Sequence, residues 1–136
     1  MSEPRLIGDC KIGKGSLIDE SAIIGHPCKA AQLEVRSLEA SAGAEIGASC
    51  IIRSNSVIYE NTLLGDNVQT ANNVIIRENV RVGDGCVFGG GSIVLAGAQL
   101  GRNVRVMEQS LICEDMVVGN DVFIAPHVSF TRGRHM

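Results

Sequence analysis

The sequence predicts a parallel β-helix in which three short strands form each coil. Large apolar residues recur at every sixth position from Ile46 to Phe130, with Thr70 the one polar exception. Small or β-branched residues predominate two positions before each of them. Two inward positions separated by two residues fit a short strand whose alternate side chains enter a narrow core. The register persists through fifteen hexads, which is far more than chance would produce.

A longer period in the same stretch sets the length of one coil. Glycine follows the bulky residue at every eighteenth position from Gly47 to Gly119, so three hexads form one structural repeat. The third residue after each bulky position is rich in Asn, Gly and Asp. These residues tolerate a positive φ and therefore suit tight corners between successive strands. The pattern is typical of a three-sided β-helix.

The amino-terminal part of the chain contains an opening coil and an interruption. The six-residue period runs from Leu6 to Ile24 and is then lost between Gly25 and Gly43. Residues 30–40 have propensities that fit either a short helix or an excursion with a strand, and a solvated loop is the simpler interpretation. We therefore predict one domain over residues 1–136 with an insertion or excursion at about 25–43. His26, at its start, is either a solvated turn residue or a catalytic one.

Composition and charge limit the classes of partner. The net charge is −3, and acidic and basic residues are interspersed, so no basic stripe indicates nucleic acid. No apolar run approaches the ~20 residues that span a bilayer, and the amino terminus lacks a signal-peptide h-region. The five cysteines form no C-x-x-C pair, which is typical of a reducing compartment. We therefore expect a cytoplasmic protein without a membrane or nucleic-acid partner.

One stretch carries a family resemblance. Residues 66–78 read DNVQTANNVIIRE, which is similar to GDNxQTGHxVxIRE in nucleotide-sugar and related small-molecule acetyltransferases. These belong to the hexapeptide-repeat acyltransferases, and the likeness covers almost the whole chain. The resemblance implies that the β-helix is left-handed. The periodicity does not supply this hand, because physical principles alone favour right-handed parallel crossovers. It also implies a homotrimer with ligand grooves between subunits, acetyl-CoA as co-substrate and a small-molecule acceptor.

The chain departs from this family at the catalytic position. In the resembled enzymes, a His after the Gly removes a proton from the acceptor; here Ala71 and Asn72 occupy those two positions. Asn orients a substrate through hydrogen bonds but does not accept a proton at neutral pH. The resemblance therefore implies catalysis by holding the acceptor against the thioester, with Asn72 or Asn73 orienting it. Glu78 is the third candidate, from the Arg-Glu pair of the motif.

Two alternatives accompany these candidates. Arg77 and Glu78 also fit a salt-bridged corner with no substrate contact. His127 shares the corner column of Asn73 but lies three coils away, roughly 14 Å at ~4.8 Å per coil. It therefore does not replace the missing base within one subunit, and an exposed turn residue is its simpler interpretation.

The co-substrate site is predicted from a glycine run. Gly89, Gly90 and Gly91 are followed by Ala96 in the next hexad, and consecutive glycines let a ligand approach the backbone closely. In the resembled family the pantetheine arm of acetyl-CoA meets backbone amides of small residues. Glycine also serves tight corners, which is the alternative. Arg132 and Arg134 are candidates for the CoA phosphates, or form a solvated basic tail.

Two function classes follow. The first is a CoA-dependent acyltransferase that transfers an acetyl group to an amine or hydroxyl of a sugar or similar metabolite. The second is a catalytically inactive β-helix that serves as a trimeric scaffold or binding module, because the family His is absent. A metal centre is not predicted, since the three histidines are widely separated and lack the spacing of the zinc enzymes that share this fold.

Overall fold

The computed structural model describes residues 2–29 and 36–132, which form a parallel β-helix of six coils. Three parallel sheets of six strands each make the three sides of the prism. Each coil contributes one strand to every sheet. The coils contain residues 5–22, 23–56, 57–74, 75–92, 93–110 and 111–128 and are numbered 1 to 6.

The strands are short, and each pairs in parallel with the equivalent strand of the next coil. Sheet A contains β1 (Arg5–Leu6), β4 (Ile23–His26), β7 (Val57–Tyr59), β10 (Ile75–Ile76), β13 (Ile93–Val94) and β16 (Leu111–Ile112). Sheet B contains β2 (Lys11–Ile12), β5 (Glu45–Ile46), β8 (Leu63–Leu64), β11 (Arg81–Val82), β14 (Gln99–Leu100) and β17 (Val117–Val118). Sheet C contains β3 (Leu17–Ile18), β6 (Ile51–Ile52), β9 (Gln69–Thr70), β12 (Val87–Phe88), β15 (Arg105–Val106) and β18 (Phe123–Ile124).

The predicted inward columns form the core. The bulky residues from Ile46 to Ile124 are all buried, and most of the small residues two positions earlier are buried with them. Phe88 is the largest fully buried side chain. Because each side chain stacks on its equivalent one coil away, the six-residue period and the eighteen-residue period are both satisfied by the same packing. The predicted parallel β-helix is confirmed.

Three corners join the sheets, and each is named by the sheets that it connects. The third residue of most corners has a positive φ, as predicted, and Asn fills this position at Asn55 and Asn73 with φ of 60° at both. Along the B–C corner, glycines from Gly13 to Gly119 stack directly on one another. A Cβ at Gly83 would lie 2.6 Å from the carbonyl of Gly101. Glycine is therefore required there by the close approach of coils.

The predicted excursion leaves the prism at the A–B corner of coil 2. It follows β4 and returns at β5, and a 3₁₀ helix at Leu38–Ala40 lies in its second half, with Ser37 accepting a hydrogen bond from the N–H of Glu39. Residues 30–35 of the helix-or-strand segment lie outside the described residues. The division of the chain into domains stays a prediction.

A buried carboxylate fixes the excursion to the prism. Glu60, only 2% exposed, forms an ion pair with Arg36 and accepts hydrogen bonds from the N–H groups of Cys28 (2.7 Å) and Ala42 (3.0 Å). Burial alone would raise the pKa of Glu60. The hydrogen bonds from Arg36 and from the two backbone groups outweigh burial and lower the pKa to about 2. Glu60 is therefore a permanent anion that organises both ends of the excursion.

Two of the five cysteines lie in the core. Cys50 and Cys86 are buried, and burial raises the pKa of both thiols. Cys10, Cys28 and Cys113 are half-buried, and all five are free. Among residues 2–29 and 36–132, no helix is long and apolar enough to cross a membrane.

Candidate functional site at two corners of sheet A

The C–A corner brings two groups of predicted site residues together. Asn72 and Asn73 lie at this corner at the end of coil 3, and Gly89, Gly90 and Gly91 lie at the same corner one coil further on. The N–H of Gly91 donates to the carbonyl of Asn72 at 3.1 Å. The asparagine candidates and the glycine run are therefore direct neighbours in space, although they are far apart in sequence.

Buried hydroxyl groups hold this corner rigid from the inside. Thr70, the exception to the apolar period, is fully buried, and its Oγ1 accepts from the N–H of Arg53 at 3.2 Å. The Ser56 hydroxyl donates to the carbonyl of Ala71 at 3.0 Å. On the next coil, the Ser92 hydroxyl donates to the carbonyl of Gly89 at 2.7 Å. Polar residues in the core thus satisfy backbone groups that the tight turns leave unpaired.

Asn72 presents both a side chain and a backbone donor at the exposed edge. Its Oδ1 accepts a hydrogen bond from the Ser54 hydroxyl at 3.0 Å, so the side chain leans one coil toward the amino terminus. This contact leaves the amide NH₂ as the group directed to solvent. Among residues 2–29 and 36–132, no acceptor lies within hydrogen-bond distance of the Asn72 backbone N–H. The corner therefore holds two donors without internal partners.

The three glycines have different reasons to be glycine. A Cβ at Gly89 would lie 2.5 Å from the backbone nitrogen of Glu108, and Gly91 has a φ of 73°. Packing and backbone conformation therefore explain these two. Gly90 has no such conformation, and its nearest contact for a Cβ would be an ordinary 3.4 Å from the Asn72 carbonyl. The fold does not require glycine at position 90.

A hollow of about 910 Å³ lies at the amino-terminal end of the prism, lined by residues 2–4, by Ile12 and Ile18 of the first coil and by part of sheet C, and it reaches Asn72 at its far edge. Its polar lining includes Asp19, Arg53 and Ser54, which lie on the C–A corner of coils 1 and 2. Hydrogen bonds from Ser21 lower the pKa of Asp19, so this carboxylate stays ionised. The hollow has the size of small-molecule sites.

The remaining predicted residues lie at the opposite edge of sheet A. Glu78 is at the A–B corner of coil 4, and Ala96 is one coil further along the same corner. Arg132 is beside this corner, where it pairs with Asp115 at 3.5 Å. The width of sheet A, on the order of 15 Å for five extended residues, separates Glu78 from Asn73. Arg134 lies outside the described residues.

The structure also reveals a cluster that the sequence motifs did not indicate. The His26 and Tyr59 rings pack with centroids 4.7 Å apart. The Arg77 guanidinium lies 4.5 Å from the Tyr59 centroid, and its Nε donates to Glu78 at 3.0 Å. The Arg77–Glu78 pair thus forms the salt bridge considered from sequence. The hexad register was the available signal for this cluster, because it places Tyr59 and Arg77 eighteen residues apart.

His127 lies apart from both groups of predicted site residues. His127 is exposed at the C–A corner of coil 6 with a φ of 61°, three coils from Asn73. Within the described ranges, no group of three or more His, Cys, Asp and Glu side chains has the arrangement of a metal site.

Comparison with known families places the chain. A family model described as the GMPPB C-terminal domain matches residues 35–131. The chain belongs to the GMPPB C-terminal domain family. The matched range contains five of the six strands of sheet B and five of the six strands of sheet C. It also contains Asn72, Gly90 and Glu78 at the two corners described above.

Solved structures with the same architecture include the acetyltransferase domain of PglB from Neisseria gonorrhoeae FA1090. The complex of that domain with acetyl coenzyme A superposes with a TM-score of 0.68 at 17% sequence identity. The superposition covers 84% of the present chain and 47% of the PglB domain chain. A second structure of the same domain gives 0.56 at 16% identity, with 82% and 51% covered. The chain thus spans about half the length of these structures. No curated protein matches it.

At these identities the likeness concerns the fold. It confirms the left-handed β-helix that the sequence resemblance implied and the likeness to hexapeptide-repeat proteins.

Proposed function

We propose that the protein is a CoA-dependent acyltransferase that transfers an acetyl group to an amine or hydroxyl of a sugar or similar small metabolite. The observation that carries this proposal is the open C–A corner, where Gly90 leaves the Asn72 N–H uncovered. Packing explains Gly89 and a positive φ explains Gly91, but neither explains Gly90. A flat backbone surface with a free N–H suits the extended pantetheine arm of acetyl-CoA. The acetyl-CoA complex of the similar PglB domain supports the same choice of ligand.

The chemistry at this corner is positioning and electrostatic stabilisation. Attack on a thioester carbonyl places negative charge on its oxygen, and fixed hydrogen-bond donors stabilise that charge in the transition state. Asn72 offers its side-chain amide, held by Ser54, and its backbone N–H. Asn73 lies beside it with an exposed side chain. Asn72 thus acts as an orienting donor at the position where the resembled enzymes have a base.

The outer face of sheet A supports the predicted homotrimer. Its central outward column is aliphatic through five successive coils, and each member is half-buried: Ile23, Val57, Ile75, Ile93 and Leu111. The equivalent column of sheet B includes Lys11, Glu45 and Arg81, and that of sheet C is interrupted by Gln69 and Arg105. A continuous flat apolar stripe on one side of the prism is typical of a subunit interface.

A three-fold arrangement on sheet A would complete the site. When three prisms turn the same face toward a common axis, the A–B corner of each meets the C–A corner of its neighbour. Glu78 and Ala96 of one subunit then face Asn72 and Gly90 of the next. The predicted site residues, which lie at opposite edges of sheet A within one chain, are brought to a single groove. Arg132 would lie toward the carboxyl-terminal end of that groove.

Calorimetric titration with acetyl-CoA and with free CoA tests the proposed ligand. We expect binding at one site per chain, followed by CoA release when a panel of amino sugars is added to the acetyl-CoA complex. Absence of binding at millimolar ligand would contradict the acyltransferase. It would favour the trimeric scaffold instead.

Light scattering of Ile75→Arg tests the assembly, with Leu63→Arg on sheet B as the matched control. Both positions are half-buried outward sites in two-residue strands, so the two variants impose similar local changes. We expect a monomer for Ile75→Arg, with loss of transfer, and a trimer for Leu63→Arg. The opposite pattern would place the interface on sheet B.

A further inference from the structure

We propose that Nε2 of His26 accepts the acceptor's proton in the neighbouring subunit's groove. This inference rests on the proposed acyl transfer and names the base that position 72 no longer supplies. Four observations support it: the tautomer of His26, the hydrogen bonds that fix the neighbouring Pro27 carbonyl, the packing of the imidazole on Tyr59, and the position of His26 along the helix axis.

The tautomer of His26 follows from a backbone contact. Its Nδ1 lies 2.9 Å from the carbonyl oxygen of Pro27. Because a carbonyl only accepts, Nδ1 must be the donor and carry the hydrogen. In the neutral ring, Nε2 then has the free lone pair. A neutral imidazole held in this way is prepared to take a proton at Nε2.

The excursion holds the carbonyl that sets this tautomer. The residue after Pro27 is Cys28, whose N–H donates to the buried Glu60 at 2.7 Å. Arg36 donates both to Glu60 and, at 3.1 Å, to the carbonyl of Cys28. The peptide planes on both sides of Cys28 are thereby fixed against the prism. Arg36, in the second half of the excursion, therefore helps to position the Pro27 carbonyl beside His26.

The imidazole ring is half-buried and packs on Tyr59 with an interplanar angle of 47°. The charged and titratable groups of the neighbouring elements are the Tyr59 hydroxyl of β7, the Cys28 thiol and Glu60 with Arg36 at the corner, and Arg77 with Glu78 after β10. Both carboxylates have an arginine partner, so neither is a free base in this cluster. In the tautomer that the Pro27 carbonyl selects, Nε2 of His26 carries the acceptor lone pair of this cluster.

The height of His26 along the prism agrees with the proposed groove. His26 ends the sheet A strand of coil 2, and Asn72 lies at the end of coil 3, so fewer than two coils separate them, roughly 8 Å. The Asn72 side chain leans toward coil 2 onto Ser54, and the His26 ring leans toward coil 3 onto Tyr59. Both shorten this distance. The hollow beside Asn72 spans coils 1 to 3, which is the height at which His26 of the neighbour faces it.

The resulting step is balanced. The acceptor nitrogen or oxygen forms a bond to the carbonyl carbon of acetyl-CoA as the C–S bond breaks. Nε2 of His26 takes the proton that the acceptor loses and returns it to the CoA sulfur. The products are the acetylated acceptor and free CoA thiol, and His26 ends in its starting state.

Affinity labelling tests the inference without knowledge of the acceptor. Bromoacetyl-CoA places an electrophilic carbon next to the thioester carbonyl, and Nε2 attacks it with loss of bromide. Peptide mass spectrometry of the whole protein should find the CoA adduct on His26. The adduct should be absent from His26→Gln and retained in His127→Gln, and excess CoA should suppress it. Labelling confined to a cysteine, or to His127, would overturn the assignment while leaving CoA binding intact.

Failure of the underlying function has a different signature, because bromoacetyl-CoA would then neither bind nor label any residue. A second readout concerns the tautomer directly. Imidazole ¹⁵N shifts of the wild type should report hydrogen on Nδ1 of His26, and Glu60→Gln should move the ring to a mixture of tautomers. A His26 with hydrogen on Nε2 in the wild type would contradict the proposal.

Discussion

The B–C corner and the C–A corner have the same backbone, but side chains cap several N–H groups on the B–C corner and leave that of Asn72 uncapped on the C–A corner. On the B–C corner, the N–H groups of Asp66 and Arg102 are capped by side chains one coil further on, Asp84 at 2.8 Å and Asn120 at 2.9 Å. The equivalent position on the C–A corner is Asn72, and the residue one coil further on is Gly90. No side chain is present there to cap it.

This difference distinguishes N–H groups that take part in packing between coils from N–H groups that remain free to bind a ligand. Side chains on the B–C corner cap the N–H groups of Ala48, Asp66 and Arg102, and its glycines stack on one another, so coil-to-coil packing explains these features. The C–A corner is equally regular and braced from the core, yet it keeps donors unpaired at its surface. Asn72 is exposed, so water satisfies these donors when no ligand is bound and a ligand can replace that water. We therefore interpret the C–A corner as the binding side of the prism.

The largest expected effect is on stability and distinguishes the two corners directly. Gly83→Ala on the B–C corner pushes a methyl group against the Gly101 carbonyl. We expect it to lower the free energy of unfolding by about 3 kcal/mol, as overpacking does. Gly90→Ala should be neutral or raise it by about 0.5 kcal/mol, because the fold accepts a Cβ there. Denaturant unfolding measures both, and equal destabilisation would remove the distinction.

A second prediction concerns the A–B corner, where the excursion rather than the next coil satisfies a buried group. Glu60→Gln should lower the free energy of unfolding at pH 7 by about 2 kcal/mol, the scale of hydrogen bonds to a charged group after screening of the partly exposed Arg36. The pKa of Glu60 is lowered from 4.5 to about 2. Its contribution is therefore complete above pH 4.5 and lost as the pH falls toward 2.

Unfolding of the wild type and of Glu60→Gln at several pH values measures this contribution. The two curves should be separated by a constant amount between pH 5 and 7 and should converge below the ordinary carboxyl pKa of about 4.5. A separation that grows on acidification would mean that Glu60 is protonated in the folded protein.

A third prediction concerns the removal of a side-chain cap from the B–C corner. Asn120→Gly removes the cap of the Arg102 N–H and makes the B–C corner resemble the C–A corner. The loss of one hydrogen bond should lower the free energy of unfolding by about 1 kcal/mol. The variant should gain no affinity for CoA, because the donors and the hollow of the C–A corner are absent from that side. New CoA binding by Asn120→Gly would show that any uncapped corner suffices.

The repeat made the fold predictable, and its period also shows which motif residues a single subunit does not bring together. Every inward residue was assigned from a spacing of six, since each coil repeats one packing environment. The same spacing places Asn72 and Glu78 at successive corners, at opposite edges of sheet A. Only an assembly of subunits would bring them together.

The rest of the site depends on contacts that periodicity does not encode. Glu60 occupies an ordinary corner position in the sequence, and its role appears only when Cys28, Arg36 and Ala42 of the irregular excursion converge on it. Ser54 and Asn72 are eighteen residues apart and were not paired in advance, although the period was sufficient to do so. The Pro27 carbonyl that sets the His26 tautomer follows from a local backbone path.

The most direct measurement is calorimetric titration of Gly90→Asn with acetyl-CoA, beside Asn120→Gly and the wild type. Asn at position 90 transplants the B–C cap onto the Asn72 N–H without adding charge, and it should raise stability by a few tenths of a kcal/mol at most, about 0.5. We expect the affinity for acetyl-CoA to fall at least about tenfold, corresponding to one lost hydrogen bond of ~1.4 kcal/mol. Asn120→Gly should bind as the wild type does. Undiminished binding by Gly90→Asn would contradict the assignment of the open C–A corner as the ligand site.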